Sequence, residues 1–147
     1  MADQERENTV LLVDDDRPIR EGLRRFFDGT SYRVAGEAAD GMAAVALCRK
    51  LRPDLVLLDV KMPLLNGIDA ARLIREERSA RCIVMLTSFD DQSCVEQALA
   101  AGAAGYLTKP LRAEDILPTL ELCLSHTKEY YLLEKNCGSL KRRLASR

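Results

Sequence analysis

The chain of 147 residues has no apolar run near the roughly 20 residues needed to cross a bilayer; its longest runs are strand-sized. Its first eight residues, MADQEREN, are polar and hold neither an apolar core nor a cleavage pattern. These absences predict no membrane association and no secretion, a flexible N-terminus over 1–8 and a cytoplasmic location. The cysteines (Cys48, Cys82, Cys94, Cys123 and Cys137) are odd in number, widely spaced and without a C-x-x-C pair. That spacing speaks for reduced thiols and against a disulfide framework or a zinc site. Excess charge is lacking too: 22 basic against 23 acidic residues, with a pI near 5.9, argue against a general nucleic-acid coat protein. The balance is uneven along the chain, since residues 126–147 hold six basic and two acidic side chains. What is present, 47% hydrophobic and 31% charged residues, is the composition of one globular domain with a sizeable core. The length leaves room for a short appendage but not for a second full domain.

Five short apolar runs read as buried strands: Thr9–Val13, Tyr32–Ala35, Leu55–Asp59, Cys82–Leu86 and Gly105–Leu107. They are continuous rather than alternating, as in a parallel sheet covered on both faces. Helical stretches lie between them. Pro18–Phe27 follows Asp16 as a cap, and Gly41–Leu51 places Met42, Val45, Ala46 and Leu47 at helical spacing and stops before Pro53. Ile68–Glu77 carries Ile68, Ala71 and Ile74, and Asp91–Ala101 ends at Gly102. Strands alternating with helices imply an α/β fold, an open, doubly wound, five-stranded parallel sheet with right-handed crossovers. Ligands of such sheets gather beyond the carboxyl ends of the strands. The residues expected there are Asp14, Asp15 and Asp16; Glu37; Asp59; Thr87 and Ser88; and Thr108, Lys109 and Pro110.

Three consecutive aspartates after a buried strand repel one another unless a cation neutralises them. With Asp59 at a neighbouring strand end, an all-oxygen set of Asp14, Asp15 and Asp59 suits Mg²⁺. Taken alone, Asp14–Asp16 reads equally well as the acidic start of a helix. Thr87 alone reads as a strand-end hydroxyl bonded to backbone, and Lys109 alone as a solvated lysine. Together, a hydroxyl, a lysine and a cation neutralise phosphoryl oxygens, and a carboxylate is an established nucleophile in phosphate chemistry. Asp59 is the central candidate for that nucleophile.

The stretches LLVDDD (11–16), LVLLDVKMPLLNG (55–67), IVMLTS (83–88) and ALAAGAAGYLTKP (98–110) together resemble the receiver domain of two-component response regulators, the CheY-like fold, over roughly Val10–Ser125. The resemblance implies a receiver over 9–125, with Asp59 accepting a phosphoryl group from the phosphohistidine of a histidine kinase or phosphotransfer protein. It implies Mg²⁺ on Asp14, Asp15, Asp59 and the backbone carbonyl of Lys61. Thr87 and Lys109 would contact phosphoryl oxygens with help from the backbone amide of Ser88. Lys109–Pro110 would be cis, an isomer that only X–Pro bonds adopt at low cost. Tyr106 occupies the aromatic switch position, turning inward as Thr87 moves; as a bare residue it reads as a half-buried strand tyrosine. Such a domain is a signalling switch that catalyses only its own phosphorylation and dephosphorylation. Ser88 departs from the family's usual Ala or Gly, which restricts phosphoryl access. Lys61 and Phe89, each two residues beyond a site residue, match positions that tune hydrolysis, where a long cation and a bulky ring gate the attacking water.

A last helix is expected from Ala113, with Glu114 and Asp115 in its first turn and Pro118 as a kink. Its small or apolar positions Ile116, Leu120, Cys123, Thr127 and Tyr130, then Leu133, Cys137, Leu140 and Leu144, recur at coiled-coil spacings with one slip. Residues 126–147 thus form a helical extension that dimerises two chains; the other reading is a frayed tail ending near Asn136–Ser139. LLEKNCGSLKRRLASR (132–147) also resembles the linker of ANTAR-type antitermination regulators, which leads to a three-helix RNA-binding domain. No such output domain is expected within these 147 residues, so RNA would be met only through a domain that they lack.

Two other functions use similar residues. A haloacid-dehalogenase-like phosphatase would take Asp14 as nucleophile and Asp16 as acid and base, but its further acidic pair lies on a strand after the lysine, whereas Glu114 and Asp115 open a helix. A receiver-shaped interaction module would keep the fold and never be phosphorylated.

Overall fold

The computed structural model describes residues 8–88 and 92–127. Its strands are β1 (Asn8–Val13), β2 (Tyr32–Ala38), β3 (Leu55–Asp59), β4 (Cys82–Ser88) and β5 (Gly105–Lys109). The helices are α1 (Arg17–Phe27), α2 (Gly41–Leu51), α3 (Gly67–Glu77), α4 (Gln92–Ala100) and α5 (113–127). All pairings are parallel, in the order β2-β1-β3-β4-β5. The expected open α/β sheet is what forms.

Alternate residues along each strand face opposite sides, which explains why the apolar runs are continuous. Leu11, Val13, Val56, Leu58, Ile83 and Met85 pack under α2, α3 and α4. Their neighbours Val10, Leu12, Leu55, Leu57, Val84 and Leu86 pack against Leu23 and Phe27 of α1 and against Ile116, Leu120 and Cys123 of α5. Cys48, Cys82 and Cys123 are free and buried in these two layers.

Several local expectations are corrected. β2 continues three residues past Ala35, because the register jumps from Val10↔Val34 to Leu11↔Gly36 and leaves Ala35 as a bulge. β4 and β5 likewise run on to Ser88 and Lys109, so Thr87 and Lys109 belong to the last turns of the strands rather than to loops. The buried face of α2 is Gly41, Ala44, Val45 and Cys48, and Met42 is exposed. Asp16 sits at the α1 cap position without a capping side-chain bond. By contrast Asp40 and Asn66 cap α2 and α3 through the amides of Ala43 and Asp69. α5 passes through Pro118 without interruption. The expected coiled extension beyond Thr127 lies outside the described residues, as does Phe89.

Candidate functional site

The carboxyl ends of β1, β3 and β5 bring three acids and a lysine together. β1 runs into Asp14, which is almost completely buried, and then into exposed Asp15. Asp59 ends β3, the strand next to β1, and is 7% exposed. One carboxylate oxygen from each of Asp14, Asp15 and Asp59 lies within 4.8 Å of the others. From the edge strand, Lys109 Nζ comes to 2.8 Å from Asp14 Oδ2 and 3.4 Å from Asp59 Oδ2.

Each remaining contact fixes one of these groups. Asp14 Oδ1 accepts from the Asp16 amide at 2.9 Å, and Asp59 Oδ1 accepts from the Lys61 amide at 3.3 Å. Asp59 pairs with Leu86 across β3–β4, which places buried Thr87 one residue further along the neighbouring strand. The Thr87 hydroxyl donates to the Ser88 carbonyl at 3.5 Å, a contact at the limit of a hydrogen bond. Ser88 is level with Lys109. Lys109–Pro110 is cis, as expected. Tyr106 stands on β5 with 45% of its surface exposed, outside the core.

The electrostatics are those of crowded carboxylates. Burial first, and the charge of Asp14 second, push the Asp59 carboxyl up to about 6, against the pull of Lys109 and the Lys61 amide. Burial alone would lower the Lys109 ammonium, but Asp14 and Asp59 outweigh it and raise its pKa. The lysine sits closer to Asp14 and leaves Asp59 only partly compensated.

Buried Asp14 Oδ2 is met at 2.8 Å by the Lys109 ammonium and has no further hydrogen-bond partner among the described residues. One ammonium shared between Asp14 and Asp59 leaves the three-carboxylate cluster with excess negative charge. One oxygen from each of the three carboxylates lies within 4.8 Å of the others, so side-chain shifts would let them converge on one ion. The donor set fits a hard divalent cation.

An open five-stranded parallel sheet in the order 2-1-3-4-5, with a polar cluster at its carboxyl edge, defines the CheY-like class of α/β domains. Within that class the chain belongs to the response regulator receiver domain family, whose model matches residues 10–121. It is 43% identical over 138 residues to the transcriptional regulatory protein PdtaR of Mycobacterium tuberculosis, covering 94% of this chain and 67% of that protein. It is 38% identical to the protein CcdB of Bacillus subtilis, over 80% of this chain and 98% of CcdB. Among solved structures, the signal receiver domain of NarL from Mycobacterium tuberculosis superposes with a TM-score of 0.75 at 33% identity, over 81% of this chain and 97% of that one. The chain spans about half the length of other regulators it matches, such as YxjL of Bacillus subtilis at 51%. It is therefore a signalling domain of two-component systems, a family that takes Mg²⁺ at an acidic pocket and meets histidine kinases or phosphotransfer proteins. The matches lend no support to the phosphatase reading. No helix among the described residues is long and apolar enough to cross a membrane.

Arg20, which does not stand out in the sequence, reaches the main-chain oxygen of Asp14 from α1. Its place one turn into the helix that follows the aspartates was the available signal.

Proposed function

We propose that Asp59 takes a phosphoryl group from the phosphohistidine of a kinase or phosphotransfer protein. The observation that carries this reading is the buried, partly compensated Asp59 carboxylate beside Lys109, with an oxygen of Asp14 and one of Asp15 within 4.8 Å of it. An Asp59 carboxylate oxygen attacks phosphorus, an O–P bond forms, and the P–N bond breaks with its electron pair going to the imidazole. Asp14, Asp15, Asp59 and the Lys61 carbonyl would hold Mg²⁺, which when bound neutralises phosphoryl oxygens. Lys109 binds the same oxygens as a fixed ammonium, and Thr87 and the Ser88 amide complete their hydrogen bonding. As the Thr87 hydroxyl turns toward the phosphoryl group it vacates space for Tyr106, whose exposed ring moves inward. Lys61 and Phe89 gate the water that hydrolyses the acyl phosphate.

The unit is a switch rather than an enzyme acting on other molecules. Its receiver spans 9–125, β1 already takes in Asn8, and the extension over 126–147 lies outside the described residues beyond Thr127. Phosphorylation biases a homodimer formed through that extension or through the face of α4, β5 and α5. The output belongs to cytoplasmic transcription regulation. An antitermination setting is supported by the linker-like residues 132–147 and by the match to a transcriptional regulator that extends beyond the matched region. RNA would be bound through an output domain outside these 147 residues.

Intact-protein mass after incubation with acetyl phosphate and Mg²⁺ tests the chemistry. One added phosphoryl group is expected, absent in Asp59→Asn and absent without Mg²⁺. An adduct that persists in Asp59→Asn but is lost in Asp14→Asn would overturn the assignment. No adduct from either acetyl phosphate or a phosphohistidine donor would make the domain an interaction module.

A further inference from the structure

The turn that carries Asp14 and Asp15 is held from outside the acidic cluster. Arg20 donates from Nη1 to the main-chain oxygen of Asp14 at 2.5 Å and from Nε to Glu37 Oε1 at 3.2 Å. The other Glu37 oxygen accepts from Arg24 Nε at 2.9 Å, so Glu37 sits between arginines on successive turns of α1. The Arg20 side chain is only 16% exposed, whereas Arg24 is 52% exposed. The end of β1, the first turns of α1 and the segment of β2 beyond its bulge thus meet on one guanidinium.

The Asp14 amide donates to the Ala38 carbonyl at 3.1 Å, Oδ1 accepts from Asp16, and the carbonyl accepts from Arg20. Oδ2, which these bonds leave over, faces the Lys109 ammonium at 2.8 Å. We propose that Arg20, braced by Glu37, is a positioning residue for the cation site: it fixes the β1–α1 turn so that Asp14 Oδ2 and the Asp15 carboxylate are presented together. This rests on the reading of the acidic cluster as a Mg²⁺ site. A guanidinium serves two partners at once through its planar fork, which an ammonium cannot reproduce.

Charge and positioning predict opposite signs. Deleting the cation bonded to the Asp14 main chain makes the surroundings of the cluster more negative and tightens Mg²⁺. Releasing the turn weakens it. Calorimetric titration of the full chain with Mg²⁺ therefore decides. Arg20→Met and Arg20→Lys are both expected to weaken Mg²⁺ about tenfold, the low end of what outer-shell groups contribute to metal sites. Glu37→Gln should weaken it less, and Arg24→Met, which breaks only the exposed arm, should stay within about twofold. In metal-free protein, hydrogen exchange at the Asp16 amide should quicken in Arg20→Met while β3 and β4 stay protected, which also shows that the variant folds. Unchanged or tighter Mg²⁺ binding by Arg20→Met would overturn the proposal, as would full rescue by Arg20→Lys, which would reduce the residue to its charge. Should Arg20→Met fail to fold, Arg20→Lys decides, because it keeps the charge and loses the fork: Mg²⁺ affinity equal to that of the wild type overturns the clamp. A wild-type chain that binds no Mg²⁺ would remove the cation site itself, and that failure is visible without any variant.

Discussion

A side-chain carbon at Gly67 would lie 2.0 Å from the carbonyl oxygen of Asp59. α3 therefore begins pressed against the strand end that carries the candidate phosphoacceptor, an approach only glycine permits. The Gly67 amide donates to the Val60 carbonyl at 2.8 Å, which ties helix and strand together at that point. Gly67→Ala must displace backbone, since no flexible side chain is there to yield. A stability loss of about 1–3 kcal/mol is expected in chemical denaturation. Phosphorylation by acetyl phosphate should slow as well, because the displaced backbone belongs to Asp59. An unchanged denaturation midpoint would show that the contact relaxes freely.

Asp59 links the site to pH. Its carboxyl is held up to about 6 in the folded protein, chiefly by burial and the charge of Asp14, against an ordinary value of 3.8. Between those values the folded chain holds more protons than the unfolded one, so its stability falls as pH rises from about 4 to 6 and stays reduced above that. Asp59→Asn removes the buried charge. Without Mg²⁺ at pH 7 the variant should be more stable by about 1–3 kcal/mol, and its stability should be flatter between pH 4 and 6. Mg²⁺ should then stabilise the wild type more than the variant. Thermal melts across that pH range, with and without Mg²⁺, check both signs; a wild type that gains stability from pH 4 to 6 relative to the variant contradicts them.

Ser79 presents a buried hydroxyl without a partner among the described residues, just after Arg78 turns the end of α3 through a left-handed φ of 54°. Its amide is satisfied by the Ile74 carbonyl at 3.2 Å, so the backbone does not need the side chain. Ser79→Ala deletes an unpaired oxygen and leaves its surroundings filled. A gain of up to about 1 kcal/mol is expected from urea denaturation. A loss above that would reveal a water or partner bonded to the hydroxyl.

Asp14, Asp15, Asp59 and Lys109 were legible because each lies at the end of a continuous apolar run, where polar residues in a parallel sheet must meet the cleft. The strands were legible for the same reason, except where geometry broke the pattern. The Ala35 bulge cut β2 short, since the residues after it no longer read as a strand. Met42 looked buried by spacing, but Gly41 faces the loop at Leu65, with room for no side chain, and that turns Met42 outward. The aspartate run suggested a cap at Asp16, yet the bond there is the reverse: the Asp16 amide serves Asp14. Arg20 and Glu37 are 17 residues apart and ordinary in isolation. Only the packing of α1 across β2 makes them a pair.

Leu64 adopts a φ of 70° in the loop between Asp59 and α3, with 80% of its surface exposed. A leucine in the left-handed region costs roughly 1–2 kcal/mol, and exposure means that no burial offsets it. The flanking contacts impose the conformation: the Leu65 amide donates to the Pro63 carbonyl at 2.9 Å, and Leu65 and Met62 pack into the core beside α2 and α3. Asparagine tolerates this region and loses less freedom on folding than glycine does. Leu64→Asn should therefore raise stability by about 0.5–1 kcal/mol, whereas Leu64→Val, branched at Cβ, should lower it. Glycine should fall between them, because the strain it relieves is partly offset by the entropy of its unfolded chain. Guanidinium denaturation of the three variants gives the order directly. Equal stability for asparagine and valine would mean that the loop changes its backbone to suit the residue it carries, and the left-handed turn beside Asp59 would then be a consequence of Leu64 rather than of its neighbours.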